Sequence, residues 1–231
     1  MAKKNVDLKF HNAKMRFFQN QTRLNETYIT QTYIKLIDNA QSEVLIANAY
    51  FIPSREFIEA LKNAVRRGVR VRLLTNSPRT NDLPEITIIG RHYYKDLLDV
   101  NEETVVMKLK DIGQYGDSDS DSDDGMEIWE WQGETKAKKG TMHAKYAVFD
   151  RIYSLVGSHN LDPRSDKYNS ESAVVFENIN ASTYLAVERY IENDLNFSRK
   201  ISYKESKEFK DPKDLKYRIQ KKFGEIFEDL L

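Results

Sequence analysis

The stretch EVLIANAYFIPSREFIEALKNAVRRGVRVRLLTN, residues 43–76, constrains the fold more than any other part of the chain. Its opening, EVLIANAYFI, is nearly continuous in apolar side chains, the pattern of a strand buried on both faces. Pro53 ends that strand, and Ser54 predicts the N-cap of a helix through Arg67 that carries Phe57, Ile58, Leu61 and Val65 on one face. Gly68 closes the helix, and VRVRLLTN alternates as a second strand. A strand, a helix and a strand joined by short turns form a parallel pair with a right-handed crossover. The chain is thereby committed to an α/β architecture.

The rest of the sequence fits that frame. Leu24, Tyr28, Ile29, Tyr33, Leu36 and Ile37 recur at helical spacing, and EITIIGRHYYKDLLD resumes it. MEIWEW, HAKYAVFD, IYSLVGS and ESAVVFE predict short strands, and NASTYLAVERYIENDL predicts another amphipathic helix. The expected fold is an α/β/α sandwich, with helices flanking a mixed sheet. Residues 1–20 read as an N-terminal extension, 21–198 as the domain, 99–125 as an acidic insertion, and 199–231 as a basic amphipathic C-terminal helix. Within the last, Asp211 and Pro212 suit an N-cap and first helical position, followed by the stripe Leu215, Ile219, Phe223, Ile226 and Leu230. Such a stripe packs on its own domain or lies on an anionic membrane.

Charge and composition exclude several classes. Net charge is +0, which disfavours nonspecific nucleic-acid binding, although the acid is concentrated in the run DSDSDSDDG. There is no cysteine, hence no disulfide and no thiolate metal site. No secretory signal or membrane-length apolar run is visible, so the expected location is cytoplasmic, with peripheral contact at the inner membrane face. Asp119, Asp121, Asp123 and Glu130 approach calcium-loop spacing, but the required glycine is displaced to Gly125. The tract reads as a solvated loop, and no metal or cofactor is expected. Trp129 and Trp131 share a strand face and belong to the core or a cleft rim, whereas His11, His92 and His159 have no identifiable partner.

The chemistry is concentrated in MHAKYAVFDRIYSLVGSHN, residues 142–160. On a strand, His143 and Lys145 point together, while Asp150 falls on the other parity. Gly157 lets the backbone turn, and Ser158 and Asn160 then return beside the first strand. An imidazole, an ammonium and neutral donors converging on one volume suit a tetrahedral anion such as phosphate. In-line cleavage of a phosphodiester needs attack on phosphorus and a proton for the departing oxygen. One histidine cannot serve both sides, and the chain has no second copy of the pattern.

This pattern, H-x-K, four residues, D, six residues, G-S-x-N, resembles the HKD motif of the phospholipase D superfamily. The flank GSHNLDPRSDKYNSESAVVF is similar to the phospholipid-processing branch, and TNSPRTNDLPEITIIGRHYYKDLL to the second half of bacterial cardiolipin synthases. The resemblance implies His143 as the catalytic imidazole, Lys145 and Asn160 as phosphate ligands, and Glu171 as the carboxylate bonded to the other imidazole nitrogen. Asp150, Gly157 and Ser158 take supporting places. It further implies phosphatidyl transfer through a phosphohistidine, with a phosphatidylglycerol-like phospholipid as substrate. The resemblance implies that the absent second HKD half comes from a homodimer, from a companion chain, or from the rest of a longer enzyme of which this is the C-terminal half. The last is favoured because the sequence resembles a second half. A homodimeric metal-independent endonuclease and a noncatalytic lipid-binding half-domain are the alternatives, nucleic acid being the less favoured partner.

Overall fold

A computed structural model describes residues 13–111, 125–134, 140–177 and 181–210. Eight strands lie in one sheet: β1 (Met15–Asn20), β2 (Glu43–Asn48), β3 (Arg70–Asn76), β4 (Met126–Trp131), β5 (Lys145–Phe149), β6 (Tyr153–Gly157), β7 (Glu171–Glu177) and β8 (Ser198–Lys200). Their order is β1-β7-β6-β5-β2-β3-β4-β8. The βαβ unit and its neighbour make β2, β3 and β4 parallel, and the remaining pairings are antiparallel. The helices are α1 (Tyr28–Asn39), α2 (Arg55–Arg66), α3 (Pro84–Gly90), α4 (Tyr94–Asp111), α5 (Pro163–Lys167), α6 (Ala181–Leu195) and α7 (Tyr203–Lys210). Among the described residues no helix is long and apolar enough to cross a membrane.

Alternation along the central strands sets the layers. Val44 and Ile46 of β2, Val71 and Leu73 of β3, and Ala147 and Phe149 of β5 face α1, α2 and α4. The intervening Leu45, Ala47, Leu74 and Val148 face Ile191 and Leu195 of α6. Helix α2 forms as its sequence dictates: Ser54 Oγ accepts from Phe57 N at 3.2 Å, and Phe57, Ile58, Leu61 and Val65 are buried. Burial stabilises each of those side chains by roughly 1.5–3 kcal/mol, which outweighs the few tenths separating intrinsic helix propensities.

Three boundaries differ from the sequence reading. Residues 15–20 are not an extension, because β1 pairs along its whole length with β7, and Asn20 Oδ1 accepts from Ile29 N at 3.1 Å to cap α1. The segment read as an insertion from 99 begins inside α4, where Val100 and Asn101 are buried and Asn101 holds both backbone groups of Met126 at 2.8 and 2.9 Å. The C-terminal region opens with β8 and α7, with Ile201 buried between them. Local patterning missed the first and third because the β1 and β8 edges acquire partners only across the sheet. The amphipathic stripe from Leu215 and the Asp/Ser tract lie outside the described residues.

Candidate active site

The site forms where β2 and β3 end and β5 begins. Two asparagines close those strands, and both are fully buried. Asn48, opposite Lys145 in the register, donates to His159 O at 3.2 Å and accepts from Leu161 N at 3.1 Å. Asn76 donates to Ala49 O at 3.0 Å and to Met142 O at 2.8 Å, and accepts from Met142 N at 3.0 Å. Each amide therefore supplies both a donor and an acceptor to a backbone that has left the sheet ladder, meeting the requirement that buried main-chain groups be paired. One holds the segment entering His143, and the other brackets Asn160.

His143 precedes β5 rather than lying in it. Its imidazole is exposed and makes no hydrogen bond among the described residues. Lys145 is buried, and its ammonium donates to the carbonyl of His143 at 3.2 Å. Burial holds that ammonium below the ordinary lysine range, while the charges of Glu171, Asp162 and Asp82 oppose the shift.

Glu171 does not bond the His143 ring. Its Oε2 accepts a short hydrogen bond from Ser158 Oγ, and its Oε1 accepts from Asn169 Nδ2 at 3.1 Å and Ser165 Oγ at 3.3 Å. Three nearby donors occupy the carboxylate, and it acts electrostatically on Lys145 instead. Ser158 Oγ also accepts from Ser172 N at 3.1 Å, tying the glycine-serine turn to β7. Asn160 N donates to Ser165 Oγ at 3.2 Å, and Asn160 Oδ1 is buried without a hydrogen-bond partner.

Gly157 is needed for closeness rather than for turning. A Cβ there would lie 2.5 Å from Ser172 O and 2.8 Å from Ala173 Cβ. Asp150 lies at the opposite end of β5, about 17 Å away for five residues of extended chain. Its carboxylate accepts from the backbone N–H groups of Gln41, Ser42 and Glu43 at 2.8–2.9 Å and from the Ser42 hydroxyl at 2.9 Å. With Arg151 it occupies the left-handed region, at φ of 51° and 58°, and makes the tight β5–β6 hairpin.

Several residues bear on the site that sequence reasoning did not single out. His159 is buried, with Nε2 3.0 Å from Thr30 Oγ1 and 3.4 Å from Asp166 Oδ1, so it ties the motif loop to α1. Asp162 caps α5 through Ser165 N at 2.7 Å; burial pushes its carboxyl up, against the Ser165 hydrogen bonds and His159. The visible signal for the clamps was an asparagine ending each of two apolar strands, LIAN and LLTN. Glu130, the last position of the calcium-loop spacing, is buried and accepts from Arg91 through two contacts of 2.7 Å. No cluster of three or more metal-ligating side chains occurs among the described residues.

The fold is that of solved phospholipase D-family structures. NUC from Salmonella typhimurium, a phospholipase D family member, aligns with a TM-score of 0.56 at 15% identity, covering 82% of this chain and 99% of that one. Phosphatidylserine synthase of Haemophilus influenzae Rd KW20 aligns at 0.63 and 16% identity, covering 97% and 49%. Residues 33–195 match the family described as cardiolipin synthase, PLD-like domain, and the chain belongs to that family. Cardiolipin synthase B of Shigella flexneri is 31% identical over 147 residues, covering 64% of this chain and 28% of that protein. The probable cardiolipin synthase YwiE of Bacillus subtilis (strain 168) is 29% identical over 174 residues, 75% of this chain and 28% of that one. The matched region thus spans little more than a quarter of these relatives.

Proposed function

We infer that this chain supplies one half of a phosphatidyl-transferring phosphodiesterase of the cardiolipin synthase kind. The observation that carries the reading is the pairing of an exposed, unattached imidazole at position 143 with a buried cation, Lys145, two residues along the chain. A nucleophile or proton donor must be free to reach its substrate, while a charge-stabilising group gains strength from burial.

One imidazole attacks phosphorus while the bond from phosphorus to the departing alcohol oxygen breaks. An imidazolium opposite supplies the proton that oxygen needs. An acceptor hydroxyl then attacks the phosphohistidine, its proton passing to the same opposite imidazole and its oxygen displacing the ring nitrogen. Lys145 and Asn160 hold the phosphoryl oxygens as charge spreads over them. Glu171, through Ser158 and Asn169, fixes the loop carrying Asn160, and its charge favours the protonated form of Lys145. Position 143 takes either role, and its counterpart comes from a second copy or a companion chain. The donor is a phosphatidylglycerol-like lipid met at a membrane surface.

Purified protein incubated with phosphatidylglycerol vesicles, alone and with a candidate companion half, tests this by mass spectrometry of the lipid products. Cardiolipin or phosphatidic acid should form, and His143→Ala should reduce either by at least about 100-fold. DNA cleavage that survives EDTA, without lipid turnover, would replace this reading with the nuclease. Vesicle binding without turnover would leave a binding half-domain.

A further inference from the structure

We propose that the cleft on the α6 side of His143 receives the alcohol portion of the phosphodiester, with uncharged hydroxyl groups held by Asp194 and Asn193. This rests on the phosphodiester reading and assigns the part of the substrate that the HKD residues do not touch.

Strand parity separates two compartments at the sheet edge. Lys145 has the parity of Ala147 and Phe149, which face the α1 and α2 layer. Glu171 has the parity of Ala173 in that same layer. Ala144 and Tyr146 instead pack with the α6 layer. The cleft opens on this second side, has a volume of about 580 Å³, and is lined by His143 but not by Lys145, Ser158, Asn160 or Glu171. That size lies within the range of small-molecule sites. A phosphoryl group seated with Lys145 would have one ester oxygen passing His143 into the cleft. In the proton-donor role of His143, the oxygen it protonates is attached to whatever the cleft holds.

The lining indicates what that is. Trp131 and Met142 form an apolar floor with Phe197, whose ring meets Trp131 edge-on at 5.9 Å. Carbon backbones of small alcohols pack on such a surface. Asp194 accepts from Tyr146 Oη at 3.0 Å through Oδ2, and Asn193 lies beside it at the rim. Burial pushes the Asp194 carboxyl up, with Tyr146 and Asn193 opposing, so this carboxylate is already short of solvent. A carboxylate beside an amide offers both acceptors and donors, as adjacent hydroxyls require. Glu134 lines the same cleft, so two carboxylates repel a second anion, while the Asn193 amide offers a hydrogen bond that a hydroxyl uses and a quaternary ammonium does not. A neutral polyol meets both conditions.

Calorimetric titration of the full chain with dimethyl phosphate, glycerophosphoglycerol and glycerophosphocholine tests the assignment. Glycerophosphoglycerol should bind about tenfold more tightly than dimethyl phosphate, a ratio that should fall toward one in Asp194→Asn and in Asn193→Ala. Trp131 fluorescence should respond to glycerophosphoglycerol and not to dimethyl phosphate. Tyr146→Phe, which keeps the carboxylate, should retain most of the ratio. If Tyr146→Phe abolishes the ratio as fully as Asp194→Asn, the carboxylate is structural and the proposal is overturned. It is equally overturned if both Asp194→Asn and Asn193→Ala keep the tenfold ratio, or if glycerophosphocholine is preferred. Failure of every diester to bind would instead remove the phosphodiester reading, and the cleft assignment with it.

Discussion

The Asn76 side chain pairs with Met142 through two hydrogen bonds, accepting from its N at 3.0 Å and donating to its O at 2.8 Å. The next residue is His143, so the position of the imidazole depends on an amide at the end of a different strand. Asn48 does the same around Asn160, gripping the residues on either side of it. The two amides stand at the ends of adjacent parallel strands, so the strand spacing sets the separation of the two motif halves.

Asn76→Ala should leave both Met142 groups unpaired and destabilise the fold by about 3 kcal/mol, since each buried orphan costs ~1–3 kcal/mol. Asn76→Asp keeps the acceptor but opposes the two carbonyls with a charge. It should lower turnover more than it raises KM, because His143 is displaced while the phosphate ligands are untouched. Urea melts and steady-state kinetics on one diester measure both effects.

If Lys145 holds the phosphoryl group as proposed, it should give activity a basic limit. Its ammonium lies below the ordinary lysine value, so the alkaline limb of the rate profile should fall below about 10.4. Glu171 raises that pKa by its charge, and Glu171→Gln should move the limb further down in pH. A shift upward would contradict the assigned electrostatics. The variant also exchanges an acceptor bonded to Ser158, so loop integrity should be followed by circular dichroism.

Asp150 should matter to stability rather than to turnover. Burial pushes its carboxyl up, but the N–H groups of Glu43, Ser42 and Gln41 and the Ser42 hydroxyl outweigh that and hold it below the usual carboxylate range. A depressed folded pKa contributes stability above the unfolded value of about 3.9, and the contribution is lost as pH falls through the folded one. Asp150→Asn tolerates the left-handed backbone but weakens the caps, and should cost about 2 kcal/mol at pH 7. The difference from wild type should begin to shrink as pH falls below about 3.9 and be lost as it passes through the lower folded value, as denaturant titrations at several pH values would measure.

Gly157→Ala should be disproportionately harmful for one methyl group. Backbone and a packed Ala173 stand where the Cβ would go, so β6 and β7 must part. Ser158, bonded to β7 through Ser172, moves with them. A loss of roughly 1–3 kcal/mol is expected from the overpacking, with activity falling alongside it. Thermal melts and diester turnover report the two.

Much of this molecule was legible in order. The βαβ unit declared itself through continuous apolar strands, Pro53, Ser54 and Gly68, because each acts on its immediate neighbours. Trp131, expected from alternation in the core or at a cleft rim, packs in the α6-side core and lines the cleft floor. His159, which had no identifiable partner, finds Thr30 from a helix 129 positions away. The expected Glu171–imidazole bond differed because Ser158, Ser165 and Asn169 compete for that carboxylate, and competition depends on distances that spacing does not encode.

The linear order of residues determined the secondary elements, the α/β class and the set of groups available for chemistry, since propensity, patterning and capping act over a few neighbouring positions. Tertiary structure alone decided that β1 and β8 complete the sheet, that Lys145 is buried while His143 stays exposed, and that Asn48 and Asn76 hold the motif segments. These are matters of pairing between distant segments, and a backbone group records its partner only once the chain has folded around it.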